Sequence, residues 1–360
     1  MTNAGSRDGF SMQRFLERWG VVVAFALLFG VSVWQQGFDF LNADNIRSLL
    51  NSNAAVGILA VGMTLVIISA GIDLSVGSMV VLSAAIGLTA VNWAIGREWS
   101  EGSAVWIGVG TTLLVGLAAG SVNGILVVAG RIAPFIATLG GLAAYRSMAL
   151  AIAEAGEIRS QSSTLFRKLG RDGIPLAYEV PAAIGPDGAA VGAATYRGIL
   201  NAADRPLTLP YSVILFFAIA IVAQWFLSRS RFGRHLVAVG ANETAATYAG
   251  ISIAWVRFRV YAIMGLLAGV AGLLQASRMN SVSTSGLGVA AELDAIAAVV
   301  IGGTSLRGGF GRVWGTVIGV LILGMITNML TISGVSPYWQ GAVKGGVIVL
   351  AVLVQRGARA

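Results

Sequence analysis

LLNSNAAVGILAVGMTLVIISAGIDLSVGSMVVLSAAIGLTAVNWAI, residues 49–95, decides the fold. It carries a single ionisable group, Asp73. A helix that crosses the hydrocarbon core of a bilayer needs roughly 20 mostly apolar residues. The stretch holds two such runs, Leu49–Ala70 and Leu74–Ile95, parted only by Gly71-Ile72-Asp73. Outward from this pair, eight further apolar runs follow the same rule. They are Trp19–Trp34, Ala104–Val128, Pro134–Ala153, Leu209–Leu227, Phe258–Ala276, Ala291–Gly303, Val313–Ile332 and Trp339–Val354, the run from Ala291 being short. The sequence therefore predicts an all-α polytopic membrane protein of about ten transmembrane helices, forming one membrane domain over residues 1–360. The first run has too long a lead-in for a signal peptide, and no small-residue cleavage site follows it.

Composition agrees. Hydrophobic residues make up 56% of the 360 and charged residues 11%, where an average globular chain carries roughly 25% charged residues. That balance excludes disorder and a nucleic-acid-binding arm. With no Cys there is no disulfide scaffold, zinc–thiolate site or catalytic thiol. The 48 Gly suit a bundle whose helices approach closely. The net charge of +8 is explained by where the Arg residues fall. With the N-terminus in the cytoplasm, the inner segments hold Arg7, Arg14, Arg18, Arg131, Arg229, Arg231, Arg234, Arg257, Arg259, Arg307, Arg312, Arg356 and Arg359. Short outer loops hold only Arg47, Arg97 and Arg278. This is the positive-inside pattern, with both termini cytoplasmic. Arg146 and Lys344 fall within spans.

The long outer loop, residues 154–208, has six basic and six acidic residues. Gly185-Pro-Asp-Gly188 marks a turn, and apolar stretches such as Ile174–Tyr178 suggest packing on the bundle. It is too small for an enzyme domain and reads as a lid or docking surface. Catalytic chemistry is missing: the chain has no HExxH, DDxxD, GxSxG or P-loop. The single His235 makes no metal site and reads as a surface residue beside anionic lipid. No catalytic residue, metal site, cofactor or nucleic-acid partner is expected.

The densest polar segment inside is residues 229–257, followed by Phe258 and Arg259. Asn242 suits a helix N-cap, Glu243 suits the first turn, and Gly250 can end a helix in the left-handed conformation. A helix of about two turns follows, too short and polar to cross. It either rests on lipid headgroups or docks a protein. Here the chain resembles a known family. Ala238-Val-Gly-Ala-Asn-Glu-Thr-Ala-Ala-Thr-Tyr-Ala-Gly-Ile251 resembles the EAA-type coupling loop of ABC importer permeases. Arg229–Arg234 resembles the Arg-x-x-x-Gly-Arg lead-in of their ribose-type (monosaccharide) group. Thr244 stands where that motif prefers Ala, and the Gly comes one residue later than in the wider pattern. Ser69–Ser78 is similar to the group's GGIDLSVGS motif, with Ala70 for Gly. Residues 293–316 resemble its C-terminal signature, and Asn123-Gly with Ala133-Pro-Phe-Ile-Ala-Thr-Leu-Gly140 its central segment. The resemblance covers roughly residues 45–150 and 209–354, in order, and omits the outer loop.

The resemblance implies a pair of membrane permease subunits, identical or paralogous, in the inner membrane of a bacterial cell. They would work with cytoplasmic ATPase subunits and a periplasmic sugar-binding protein. It implies ATPase coupling through Asn242, Glu243, Thr244, Ala245, Ala246 and Gly250, with Arg234 in the lead-in. Sister groups import branched amino acids or nucleosides, and a polyol is a further small polar solute to be weighed.

Other residues can be read directly. Asp73 buried in lipid costs roughly 2.5–3.5 kcal/mol, so it reads as a cap accepting the amide of Ser75 or Val76, with gating as a second role. Gly71 and Gly77 allow a tight reversal and close helix contact. Glu292 and Asp294 suit the N-terminus of the short eighth span; they otherwise form a polar rim or a partner for Arg278. Gly302-Gly303, Gly308-Gly309 and Gly311 mark a flexible inner turn, which Arg307 and Arg312 either anchor or offer to an ATPase. Asn51, Asn53, Thr64, Ser69, Asn123, Gln275, Thr327 and Asn328 are neutral polar groups within spans. They suit either the passage of an uncharged hydroxylated solute or hydrogen bonds between helices. Gly116-Leu-Ala-Ala-Gly120 reads as a packing seam. An ion-driven secondary transporter would want carboxylates at midplane, and Asp73, Glu292 and Asp294 all fall at span ends.

Overall fold

The structure is a computed structural model and describes residues 12–180, 183–184, 190–191, 195–200 and 206–357. Local chemistry sets many helix boundaries. After α1 (Met12–Gln36), α2 (Ala43–Ile68) starts where Asn42 accepts the Asp44 amide at 3.0 Å. α3 (Val76–Ile95) precedes α4 (Glu101–Val128), which Ser100 caps through the Ser103 amide. α5 (Pro134–Ile152) opens on a proline, whose missing N–H costs nothing in the first turn. The short α6 (Leu165–Arg171) lies in the outer loop, and α7 (Tyr211–Arg229) returns to the cytoplasmic side. There α8 (Arg231–Ala241) and α9 (Glu243–Tyr248) lead into α10 (Ile253–Met279). α11 (Ala291–Ile301), α12 (Val313–Ile332) and α13 (Pro337–Gly357) complete the order.

The chain is all-α and polytopic. Among the described residues, seven helices are long and apolar enough to cross a membrane: α2, α3, α4, α5, α7, α10 and α12. Helices also stand at the other three expected runs, two of them shorter in their apolar part. The apolar part of α1, Gly20–Gln36, is shorter, and α11 has only 11 residues. α11 alone is about half the roughly 30 Å of hydrocarbon at 1.5 Å per residue.

α2, α3 and α10 form the buried centre, with α5 and α7 at the periphery. The most extensive helix contact joins α10 to α4. Small residues allow it: a Cβ on Gly116 would sit 2.5 Å from the Gly265 carbonyl oxygen, and one on Gly120 2.3 Å from that of Tyr261. In lipid, where apolar surface gains nothing by leaving its solvent, such close backbone approach supplies the attraction.

The outer loop folds against the bundle through short antiparallel ladders. Residues 157–159 pair with 281–283, and 173–175 with 208–210. The Glu101 carboxylate accepts the amides of Thr164 and Leu165 at 2.7 and 3.0 Å, so α4 caps α6. Phe166 is buried, and Arg171 donates to the Arg278 carbonyl at 2.7 Å. Of the stretch Ile174–Tyr178, expected to pack, Ala177 is buried while Ile174 and Leu176 are exposed, and Phe166 is a large side chain of the loop that is buried. The turn at Gly185–Gly188 lies outside the described residues.

Candidate functional site

In the expected coupling segment, Ser230 accepts the Gly233 amide and starts α8. This amphipathic helix turns Gly233, Leu236 and Val239 inward and leaves Arg231, Arg234 and His235 exposed. Arginines and glycines interrupt the apolar face of α8, so its periodicity does not stand out in the sequence. Asn242 then caps α9, accepting the Ala245 amide at 2.9 Å. α9 has six residues and is exposed on nearly every side, Ala246 being its one buried member. Tyr248 is 88% exposed. Glu243 forms an ion pair with Arg257, tying α9 to the first turns of α10. Gly250, at φ +75°, ends the unit. A short stiff helix, capped at its start and tied to a central membrane helix, suits transmission of a push.

The end of α8 meets the bundle at a close backbone junction. A Cβ on Gly240 would meet the Ile68 carbonyl oxygen at 1.7 Å, and the Gly309 amide donates to that same oxygen at 2.9 Å. Gly308 and Gly309, both left-handed, lie against Ala70 and Ala241. The turn expected to be flexible is therefore packed between α8 and the end of α2. Arg307 and Arg312 are exposed beside it. Gly302 lies against the Gly315 backbone, and Gly303 takes φ +86°.

Beyond this junction the membrane helices break twice. The first break joins α2 to α3. Ala70 is left-handed, and Gly71 lies too close to the Tyr261 hydroxyl and the Val66 backbone to carry a side chain. Thr138 and Tyr261 both donate to the Ile72 carbonyl at 3.4 Å. Buried Asp73 accepts the Ser75 amide at 2.9 Å and the Ser75 hydroxyl at 2.7 Å, as its capping role requires. Ser75 itself is the residue next to the helix. Asn123 donates to the Ser75 hydroxyl at 2.7 Å, and the Tyr145 hydroxyl donates to the Asn123 carbonyl oxygen at 2.9 Å. Asp73 Oδ2 is buried with no hydrogen-bond partner among the described residues.

The second break, residues 280–290, joins α10 to α11. Arg146 donates to the carbonyls of Thr284 and Leu287 at 3.1 and 2.8 Å. The Thr284 hydroxyl reaches the Gly156 carbonyl at 2.8 Å. The two breaks meet backbone to backbone. A Cβ on Gly77 would lie 2.1 Å from the Gly288 carbonyl oxygen, and one on Gly288 2.2 Å from that of Gly77. α2 and α3 are each long and apolar enough to cross, so residues 69–75 connect two spans, and the segment between α10 and α11 meets that connection where Gly77 faces Gly288.

The remaining polar groups are dispersed. Asn51 accepts from Ser212, and Asn53 donates to the Leu49 carbonyl. Thr64 shares a 2.7 Å hydrogen bond with Thr316, and Asn328 donates to Asn45 at 2.9 Å. Asp294 pairs with Lys344 at 3.3 Å. That corrects its expected pairing with Arg278, which instead donates to Asn51 and Ser52. Of the residues named from sequence, the fold thus joins Asp73, Ser75 and Asn123 in one network, with Gly71 and Gly77 at its edges. Sequence reading missed Thr138, Tyr145, Tyr261, Gly240 and Gly288. Arg146 had the strongest available signal, a lone cation inside an apolar run. Among the described residues no three His, Asp or Glu side chains gather as a metal site.

Comparison with known proteins places the chain. Residues 45–352 match the family described as branched-chain amino acid transport system / permease component. The ribose import permease protein of Escherichia coli K12 is 35% identical over 349 residues, 97% of this chain and 96% of the relative. The ribose import permease protein of Bacillus subtilis is 37% identical over 319 residues, 88% of this chain and 86% of the relative. The xylose transport system permease protein of Escherichia coli K12 is 34% identical, covering 92% of this chain and 88% of the relative. No solved structure matches. Matched over most of its length, with the broken helices and the cytoplasmic helix unit inside the matched region, the chain belongs to the branched-chain amino acid transport system permease family.

Proposed function

We propose that the chain is the membrane permease subunit of an ATP-binding cassette importer, carrying a monosaccharide across the inner membrane of a bacterial cell. The observation that carries this reading is near-full-length identity with permeases named for ribose and xylose. A pentose is the substrate class in best accord with both names. ATP is hydrolysed on separate cytoplasmic subunits, a periplasmic binding protein delivers the sugar, and a second permease subunit completes the pathway.

The cytoplasmic geometry supports the coupling role. α9 offers Asn242, Glu243, Thr244, Ala245 and Gly250 to a partner, and Ala246 seats it. Closure of an ATPase pair pushes α9. Through the Glu243–Arg257 pair and the Gly240–Ile68 contact the push reaches α10 and the first break. There the meeting of Gly77 and Gly288 is the natural gate. Asn51, Thr64 and Asn328 already hold helices together and Asn53 bonds within α2, which leaves the two breaks as the better place for passage.

The test is uptake of labelled ribose, xylose and leucine into vesicles holding the permease with its ATPase and binding protein. Leucine is included because the family description names branched-chain amino acids. The reading expects ATP-dependent pentose uptake, lost together with ATPase co-purification in Glu243→Lys. Uptake driven by an ion gradient with no ATPase would overturn it, and ATP-dependent leucine uptake would move it to the amino-acid branch.

A further inference from the structure

α7, α8, α10 and α2 enclose a groove of about 660 Å3 at the cytoplasmic end of the bundle. That volume lies within the roughly 300–1,000 Å3 of small-ligand sites. Its walls are apolar, with Leu65, Val222, Phe226, Phe232 and Leu236 among them, and Arg259 is the one charged residue in its lining. Arg259 is exposed and stacks on Trp255 at 5.2 Å, and it forms no ion pair among the described residues. The side of α7 next to the groove exposes Ile221, Trp225 and Phe226. The groove therefore opens toward hydrocarbon rather than toward the solute path.

We infer that this groove holds an anionic phospholipid of the cytoplasmic leaflet, with an acyl chain between α7 and α10 and its phosphodiester on Arg259. Charge selects this occupant. Segment 229–259 carries five arginines and one carboxylate, Glu243, which already pairs with Arg257. Arg229, Arg231 and Arg234 are exposed on the same face of the membrane. A basic rim over an apolar slot between membrane helices is the arrangement that reads phospholipid headgroups. α8 forms one wall with its apolar face while its arginines lie level with the headgroups, as an interfacial amphipathic helix does. The lipid thus completes the packing of the helix that leads into α9.

The permease with its ATPase is equilibrated with vesicles of phosphatidylcholine, alone or containing phosphatidylglycerol. Retained lipid is then counted by native mass spectrometry after detergent extraction. The inference expects phosphatidylglycerol to be retained over phosphatidylcholine. It expects Arg259→Gln to cut that retention about fivefold, and Arg259→Lys to hold it near the wild-type value. Arg259 is exposed, so its replacement leaves the packing intact. Ala223→Trp fills the groove and removes the lipid. Equal retention in Arg259→Gln overturns the inference. So does an Ala223→Trp variant that keeps its lipid but loses self-association, because the groove is then a contact between two copies of the chain. No solute enters this assay, so failure here leaves the importer reading untouched.

Discussion

The break between α2 and α3 and the break between α10 and α11 reach each other at Gly77 and Gly288, yet they are held in different ways. The first is fastened by its own side chains and by three neighbouring helices: Asp73 and Ser75 close on each other, Asn123 and Tyr145 extend the chain, and Thr138 and Tyr261 hold the Ile72 carbonyl. The second is held at its outer end by the Glu157–Arg159/Ser281–Ser283 ladder and by the Thr284 amide and hydroxyl on the Gly156 carbonyl, and at its inner end by one cation, Arg146, on two carbonyls. A redundant network survives the loss of one member. The inner end of the second break depends on one side chain. The first break also abuts the cytoplasmic junction at Ile68 and Gly240, and the second joins the outer ladder at Ser281–Ser283. The arrangement is a continuous line of contact from the cytoplasmic helix unit to the outer face. We propose that its stiff half is the one next to Ile68 and Gly240 and its yielding half the one that Arg146 holds.

The contact between the halves is the place to break this line most severely. Gly288 has φ +72° and no room for a side chain. Gly288→Val adds left-handed strain to a backbone clash, and the expected cost is roughly 2–6 kcal/mol, read from equilibrium unfolding in detergent. Next comes the clamp. Arg146→Met leaves two carbonyls unpaired, an expected loss of roughly 2–4 kcal/mol, with faster amide exchange confined to residues 280–290. The smallest effect belongs to the redundant half. Asp73→Asn keeps an oxygen for the Ser75 amide and hydroxyl, so stability is expected to change by less than about 1 kcal/mol. An Asp73→Asn effect as large as that of Arg146→Met would reverse the assignment of stiff and yielding halves.

Much of this was legible in the sequence, for local reasons. Length and apolarity announced the long helices, and Asn242-Glu243 announced α9, because a cap and its helix are neighbours in the chain. Asp73 was legible as a capping group because its partner is two residues away. The count of about ten spans rests on apolar windows, which measure composition, and α11 has the composition without the length of a full span. Arg146 stood out as a cation in an apolar run, but its partners, like those of Tyr145, were hidden for another reason. Arg146 grips carbonyls 138 and 141 residues away, and Ser75 lies 48 residues from Asn123. Backbone acceptors carry no sequence signature. Gly77 and Gly288 share that difficulty, since a glycine in a membrane helix names no partner until the fold supplies one. α8 was missed because its apolar face is three residues wide and its polar face is all arginine and histidine.

The measurement that tests the two-break account most directly is amide hydrogen exchange on the permease with its ATPase, compared with and without bound ATP. The account predicts that exchange changes on ATP binding in residues 280–290, while residues 71–77 keep their protection and move as a body. Protection lost at 71–77 with residues 280–290 unchanged would contradict it.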